Sequence, residues 1–165
     1  MVKHLKGQKP KAKQIKLDLS YADLRILSTF PWPWATGSVE EFKCADVFHY
    51  IPAKKRGEFM DELYRVLAPK AQATILVAYY STVLACADYT LEWPPLCEQS
   101  FLYFNKQWRE QNNVPHPIKA DFDFTYGYVM PPEIAGRNQE TQTFQVKHYN
   151  NTVTRLQVVM VRREG

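Results

Sequence analysis

The chain has 165 residues, 45% of them hydrophobic, with 21 Lys and Arg against 17 Asp and Glu for a formal net charge of +4. A chain of this size buries one core and implies one domain. It holds no run of roughly eighteen uncharged apolar residues, and no apolar segment follows the N-terminal lysines, which argues against a membrane span and a secretory leader. The three cysteines, Cys44, Cys86 and Cys97, are odd in number and widely spaced, which speaks against a disulfide framework or a zinc site and for a reducing cytoplasm.

Taken in chain order, the first feature is a crowd of lysines: Lys3, Lys6, Lys9, Lys11, Lys13 and Lys16. Such a run reads as a solvated arm or as a contact for phosphates. No aromatic is interleaved, so base stacking gets no support. Gln14 to Leu19, with apolar Ile15, Leu17 and Leu19, predicts a short strand ending near Asp18, and Asp23 to Leu27 predicts a second. Phe30-Pro31-Trp32-Pro33-Trp34 must be loop or extended, because each proline lacks an amide donor and restricts the residue before it.

Glu40 to Val47 reads as a buried strand, and a helix opens after Pro52. Its apolar side is Phe59, Met60, Leu63, Val66 and Leu67, it stops at Pro69, and a strand follows over Ala73 to Val77. A crossover helix feeding a buried strand marks a layered α/β sheet. An irregular stretch then runs past Trp93-Pro94-Pro95, and a helix follows Glu98, with Ser100, Phe101, Phe104 and Trp108 on it or at its end. Asp121 to Val129 alternates Phe122, Phe124, Tyr126 and Tyr128 on one face, a strand pattern, with those aromatics taken first as packing residues. Pro131-Pro132 ends it, Glu133 to Tyr149 reads as a helix, and Leu156 to Val161 as a final strand. The long connection between the last two strands predicts that they pair antiparallel at the end of the sheet.

This order of elements resembles the C-terminal two thirds of a class I S-adenosylmethionine-dependent methyltransferase, in particular small ones of the kind found in tailed-phage genomes. The residues that carry the resemblance are Phe30 to Trp34, Val39 to Asp46, Glu58 to Ala78, Phe101 to Lys106, Trp108-Arg109-Glu110 and Ala120 to Tyr128. It implies a Rossmann-like α/β fold: a mostly parallel sheet flanked by helices, antiparallel strands at the C-terminal end, and a truncated N-terminal strand. It also divides the chain into a basic segment over residues 1–16, holding a remnant glycine-rich turn, and a methyltransferase-like domain over residues 17–165.

Site residues follow from the resemblance in the same way. Gly7 stands for the glycine-rich turn that lets backbone approach the cofactor. Asp18 falls where the family keeps an acid for the ribose hydroxyls, the other reading being an ordinary turn-capping aspartate. Arg25 to Thr29 contains no carboxylate, with Ile26 or Ser28 at the place where an acid of the family usually meets the adenine. Asp46 and His49 fall at the carboxyl edge of the sheet, where open α/β sheets bind ligands. The helix-to-strand turn reads Pro69-Lys70-Ala71 in place of Pro-Gly-Gly, so it must differ or carry strain. Asp88-Tyr89-Thr90-Leu91 stands in place of Asp-Pro-Thr-His. Tyr79, Tyr80 and Asp88 are thereby expected on the acceptor side, with S-adenosylmethionine as cofactor and no catalytic residue assigned. The acceptor is open. So are two other classes: a methyltransferase-like protein without cofactor binding, and a nucleic-acid-associated protein using the lysines. A homodimer in which a second chain lends an edge is a further expectation.

Overall fold

The computed structural model describes residues 14–164. Five strands form one sheet: β1 (Ile15–Leu19), β2 (Val39–Ala45), β3 (Leu67–Ala78), β4 (Phe122–Val129) and β5 (Arg155–Arg162), in the order β1-β2-β3-β5-β4. The pairs β1/β2 and β2/β3 are parallel, whereas β3/β5 and β4/β5 are antiparallel. The sheet is therefore mixed, with the last two strands paired antiparallel at its end as the sequence predicts, and β5 inserted between β3 and β4. Flanking it are α1 (Leu24–Leu27), α2 (Arg56–Val66), α3 (Lys106–Gln111), α4 (Pro132–Ala135) and α5 (Gln139–His148).

Helix α2 forms because its apolar residues recur at three- and four-residue spacing, so one face carries Phe59, Met60, Leu63 and Val66 into the core. Phe59 meets Trp32 edge-on at 4.9 Å and Phe48 at 5.0 Å between ring centroids. Burying each such side chain contributes roughly 1.5–3 kcal/mol. The helix ends at Val66, where Leu67 turns extended with ψ 137°. Pro69 cannot extend it, and the chain passes directly into β3. Between Leu67 and Gln72 the pairing with β2 shifts register, and Lys70 there adopts φ +63°. The turn thus keeps a left-handed position on a lysine, a strain of about 1–2 kcal/mol for a residue with a Cβ.

The Pro-Trp-Pro-Trp segment is a loop, as its prolines require, and it also plugs the core. Trp32 is buried and lies parallel to Phe42, ring centroids 5.8 Å apart. Its amide donates to Glu62 Oε2 at 2.7 Å and its indole Nε1 to the Leu27 carbonyl. Arg65 of α2 donates to the carbonyls of Trp32 and Trp34 while pairing with Glu62 at 2.7 Å.

Three predicted elements are corrected. Asp23 to Leu27 is no strand: Tyr21–Asp23 is a 3-10 turn that runs into α1, and the Ser20 amide donates to the Asp23 carboxylate at 2.9 Å, a local bond that favours a helical turn. Only Leu27 of α1 is buried, and alternation within so short a run carried no information. The helix expected after Glu98 is a 3-10 segment, Glu98–Phe104, followed by α3, because Asn105 caps the second piece by accepting the Trp108 amide at 2.9 Å. The helix expected over Glu133 to Tyr149 is broken between α4 and α5, where Asn138 caps α5 through the Thr141 amide at 2.8 Å.

Candidate functional site

The carboxyl ends of β2 and β3 gather most of the polar chemistry. Asp46, just past β2, adopts φ +56°, and its amide donates to the Leu76 carbonyl at 2.9 Å. Its carboxylate accepts both contacts from Arg155 Nε, at 2.9 and 3.1 Å, so β2 is tied to the start of β5 across β3. Both partners are about two-fifths exposed, which holds the pair to roughly 0–1 kcal/mol.

His49 sits in the 3-10 turn Phe48–Tyr50 and is buried. Its Nδ1 accepts the Ala78 amide at 3.2 Å, which puts the proton of the neutral ring on Nε2. Burial lowers its pKa; Asp46 opposes that, and Arg155 and Arg56 reinforce it. The ring is thus a neutral peg joining the turn to β3. Next to it, the Tyr50 hydroxyl donates to Asp88 Oδ2 at 3.1 Å, and Asp88 Oδ1 accepts the Thr90 amide and hydroxyl at 2.8 and 2.7 Å. Those Thr90 bonds, backbone first, hold the Asp88 carboxyl below its usual value.

Arg56 closes the underside of this edge. Its guanidinium donates to the carbonyls of Ile51, Glu92 and Pro94 at 3.1, 2.9 and 2.8 Å and lies over the Phe48 ring. Sequence reasoning missed this role, since all three acceptors are backbone carbonyls and two of them, Glu92 and Pro94, lie 36 and 38 residues further along the chain.

Tyr79 and Tyr80, immediately after β3, border two adjoining clefts. One, of about 540 Å³, is walled by Tyr79, Tyr80, Phe124 and Tyr126 with Glu98 and Cys97. The other, of about 440 Å³, lies between the same two tyrosines, Glu98, Tyr128 and α5. Glu98 Oε1 accepts from the hydroxyl of Tyr79 at 3.3 Å and from that of Tyr128. Burial first, and the Glu98 carboxylate after it, raise the pKa of both phenols. Sequence reasoning named Tyr79 and Tyr80 but missed Glu98, Tyr128 and Arg155. The signal available was the alternation of β4, whose aromatic face turns from Phe to Tyr at its far end.

Asp88 lies with Tyr50 and His49 rather than at the tyrosine clefts. Asp18 lies on β1, an edge strand, exposed and opposite Lys43, and lines none of the five principal clefts among the described residues. Gly7 lies outside the described residues. Moreover, β1, β2 and β3 advance in one direction across the sheet. The reversal of strand order that opens a nucleotide crevice in doubly wound sheets is absent among the described residues. Residues 14–164 therefore do not assemble the cradle for a nucleoside that the resemblance implies beside Asp18. Among them there is also no cluster of three potential metal ligands, and no helix long and apolar enough to cross a membrane.

No family model matches the sequence. No curated protein matches it. Solved structures do. A S-adenosylmethionine-dependent methyltransferase of Archaeoglobus fulgidus superposes with a TM-score of 0.53 at 6% identity, over 84% of this chain and 64% of that one. A Listeria monocytogenes protein assigned the same activity gives 0.51 at 11% identity, over 84% and 67%. Of the first three solved structures it matches, this chain spans less than two thirds of the length. The chain has the fold of class I S-adenosylmethionine-dependent methyltransferases.

Proposed function

We propose that this protein serves methyl transfer from S-adenosylmethionine, with residues 14–164 supplying the acceptor side of the fold. The observation that supports the reading is the pairing order β3-β5-β4, with clefts opening at the carboxyl end of β3 where Tyr79 and Tyr80 stand. Fold likeness alone does not specify chemistry, so the argument rests on that edge. Tyr79, Tyr80 and the carboxylate of Glu98 would position an acceptor there, orientation being the main contribution a protein makes to a displacement on an already activated methyl group. The small phage-type relatives and a cytoplasmic location belong to the same reading, as does a homodimer in which a second copy completes the edge at β1.

A second reading has its own observation. Among the described residues, the unreversed strand order and the absence of Asp18 from the lining of the principal clefts favour a methyltransferase-fold binding protein that does not engage the methyl donor. Isothermal titration of the whole chain with S-adenosylmethionine separates the two: saturable heat supports methyl transfer by this chain, and silence at millimolar donor eliminates it in favour of the second. A nucleic-acid role would draw on the lysine run, of which Lys16 alone is described, ion-paired with Glu41 at 3.0 Å. Retention of an oligonucleotide that ignores salt concentration would remove that role.

A further inference from the structure

The cleft of about 540 Å³ beyond Tyr79 combines three properties. Its walls are aromatic, with Tyr79, Tyr80, Phe124 and Tyr126 all lining it. Neighbouring tyrosine rings meet at steep angles: Tyr79 lies 4.8 Å and 62° from Tyr80, and 5.5 Å and 62° from Tyr128, which in turn lies 5.6 Å and 51° from Tyr126. Rings so inclined pack edge to face, with Tyr128 on the side of the adjoining cleft; Tyr79 is buried, while Tyr80 and Tyr126, each about half exposed, offer open ring surface. Finally, Glu98 is the sole charged side chain among the lining residues, and among the described residues no Lys or Arg lines the cleft. Only Oε1 of that carboxylate is engaged by the two phenols, and among the described residues no cation pairs with it.

From this arrangement we infer that the cleft is a binding site for an organic ammonium cation, quaternary or highly methylated, held between the tyrosine faces with Glu98 as counter-charge. Aromatic faces attract such cations through the ring quadrupole, and a bulky methylated ammonium gives up little hydration on entering. A small inorganic cation would not need the rings, and a neutral apolar ligand would not need the carboxylate. Lys147 lines the adjoining cleft together with Glu98 but forms no salt bridge with it among the described residues. The inference deepens the acceptor-side reading, because it gives the group docked there a chemical class. It does not require the methyl donor.

The test is titration of the full chain with choline, followed by calorimetry, beside its neutral isostere 3,3-dimethyl-1-butanol, with no S-adenosylmethionine present. Choline is expected to bind at least tenfold more tightly than the isostere. Glu98→Gln, which keeps an acceptor for both phenols, should weaken choline about tenfold and leave the isostere unchanged. Tyr126→Ala, at a side chain half exposed and outside the core, should weaken choline about fivefold. Equal binding of choline and isostere, or full choline affinity in both variants, overturns the site. A trimethyllysine peptide binding more tightly than choline would assign the cation to a protein side chain, and the reverse to a small molecule; either supports the site. Because the donor is left out, failure of S-adenosylmethionine binding and failure of this site give separate results.

Discussion

The two flanks of the central strands are built to different standards. On one side β1 contributes five residues, none of them buried, and is the outermost strand among the described residues. On the other, β5 runs eight residues, buries Leu156, Val158 and Met160, and pairs along its length with both β3 and β4. Cohesion is thus concentrated in β2, β3, β5 and β4 with α2 over them, and the clefts lie on that well-packed side. The flank where the resemblance places the donor is held by one strand pairing and half-covered apolar side chains.

The sharpest way to break this contrast is to truncate one residue on each flank. Phe59→Ala removes a fully buried ring that touches Trp32 and Phe48 and should cost about 3–5 kcal/mol in urea unfolding. Leu17→Ala on β1 should cost about 1 kcal/mol, in line with ordinary point changes. Equal losses would mean that β1 is as deeply built in as the centre. Arg109→Met comes next. Its guanidinium serves the carbonyls of Tyr103, Ile118 and Ala120 just ahead of β4, and leaving them unpaired should cost about 2–3 kcal/mol by the same measurement.

A smaller effect of opposite sign is expected at the join of the central strands. Lys70→Gly relieves the left-handed strain and loses some of that gain to the added freedom of the unfolded chain, for a net stabilisation of about 0.5–1 kcal/mol. The shallowest effect is a pH slope. Because burial lowers the His49 pKa, the unfolded chain binds the proton first. The contribution is therefore fully present above about pH 6.5, the value of a free imidazole, and is lost as pH falls from there toward the folded pKa. Unfolding midpoints taken below pH 7 should fall for the parent and flatten for His49→Gln.

How much of this was legible beforehand follows the same division. The strand at Glu40 to Val47, the helix over Phe59 to Leu67 and the strand beyond it are readable because their apolar residues recur at the right spacing over long enough runs. The antiparallel end of the sheet was legible from the β4 alternation and the length of the following connection. Asp23 to Leu27 was misread because a capping interaction between Ser20 and Asp23 decides its form, and that outweighs alternation over five residues. Of the site, the resemblance named Asp46 and His49 at the sheet's carboxyl edge and Tyr79 and Tyr80 on the acceptor side; Asp46 and His49 follow β2 and the two tyrosines follow β3. Glu98 was visible only as a helix start, since what brings it under Tyr79 and Tyr128 is the return of β4 along β5, a contact thirty residues away in the chain. Arg155 was hidden for a similar reason: its partner Asp46 lies 109 positions earlier.

Arg56 has one more consequence, for a side chain it never touches. It grips the carbonyls of Glu92 and Pro94, the residues on either side of Trp93, whose indole is 80% exposed. That fluorophore therefore stands in water on a backbone tied at both sides to the first turn of α2. Of the four tryptophans it is the one standing open to water, so a dissolved quencher should reach its share of the emission first.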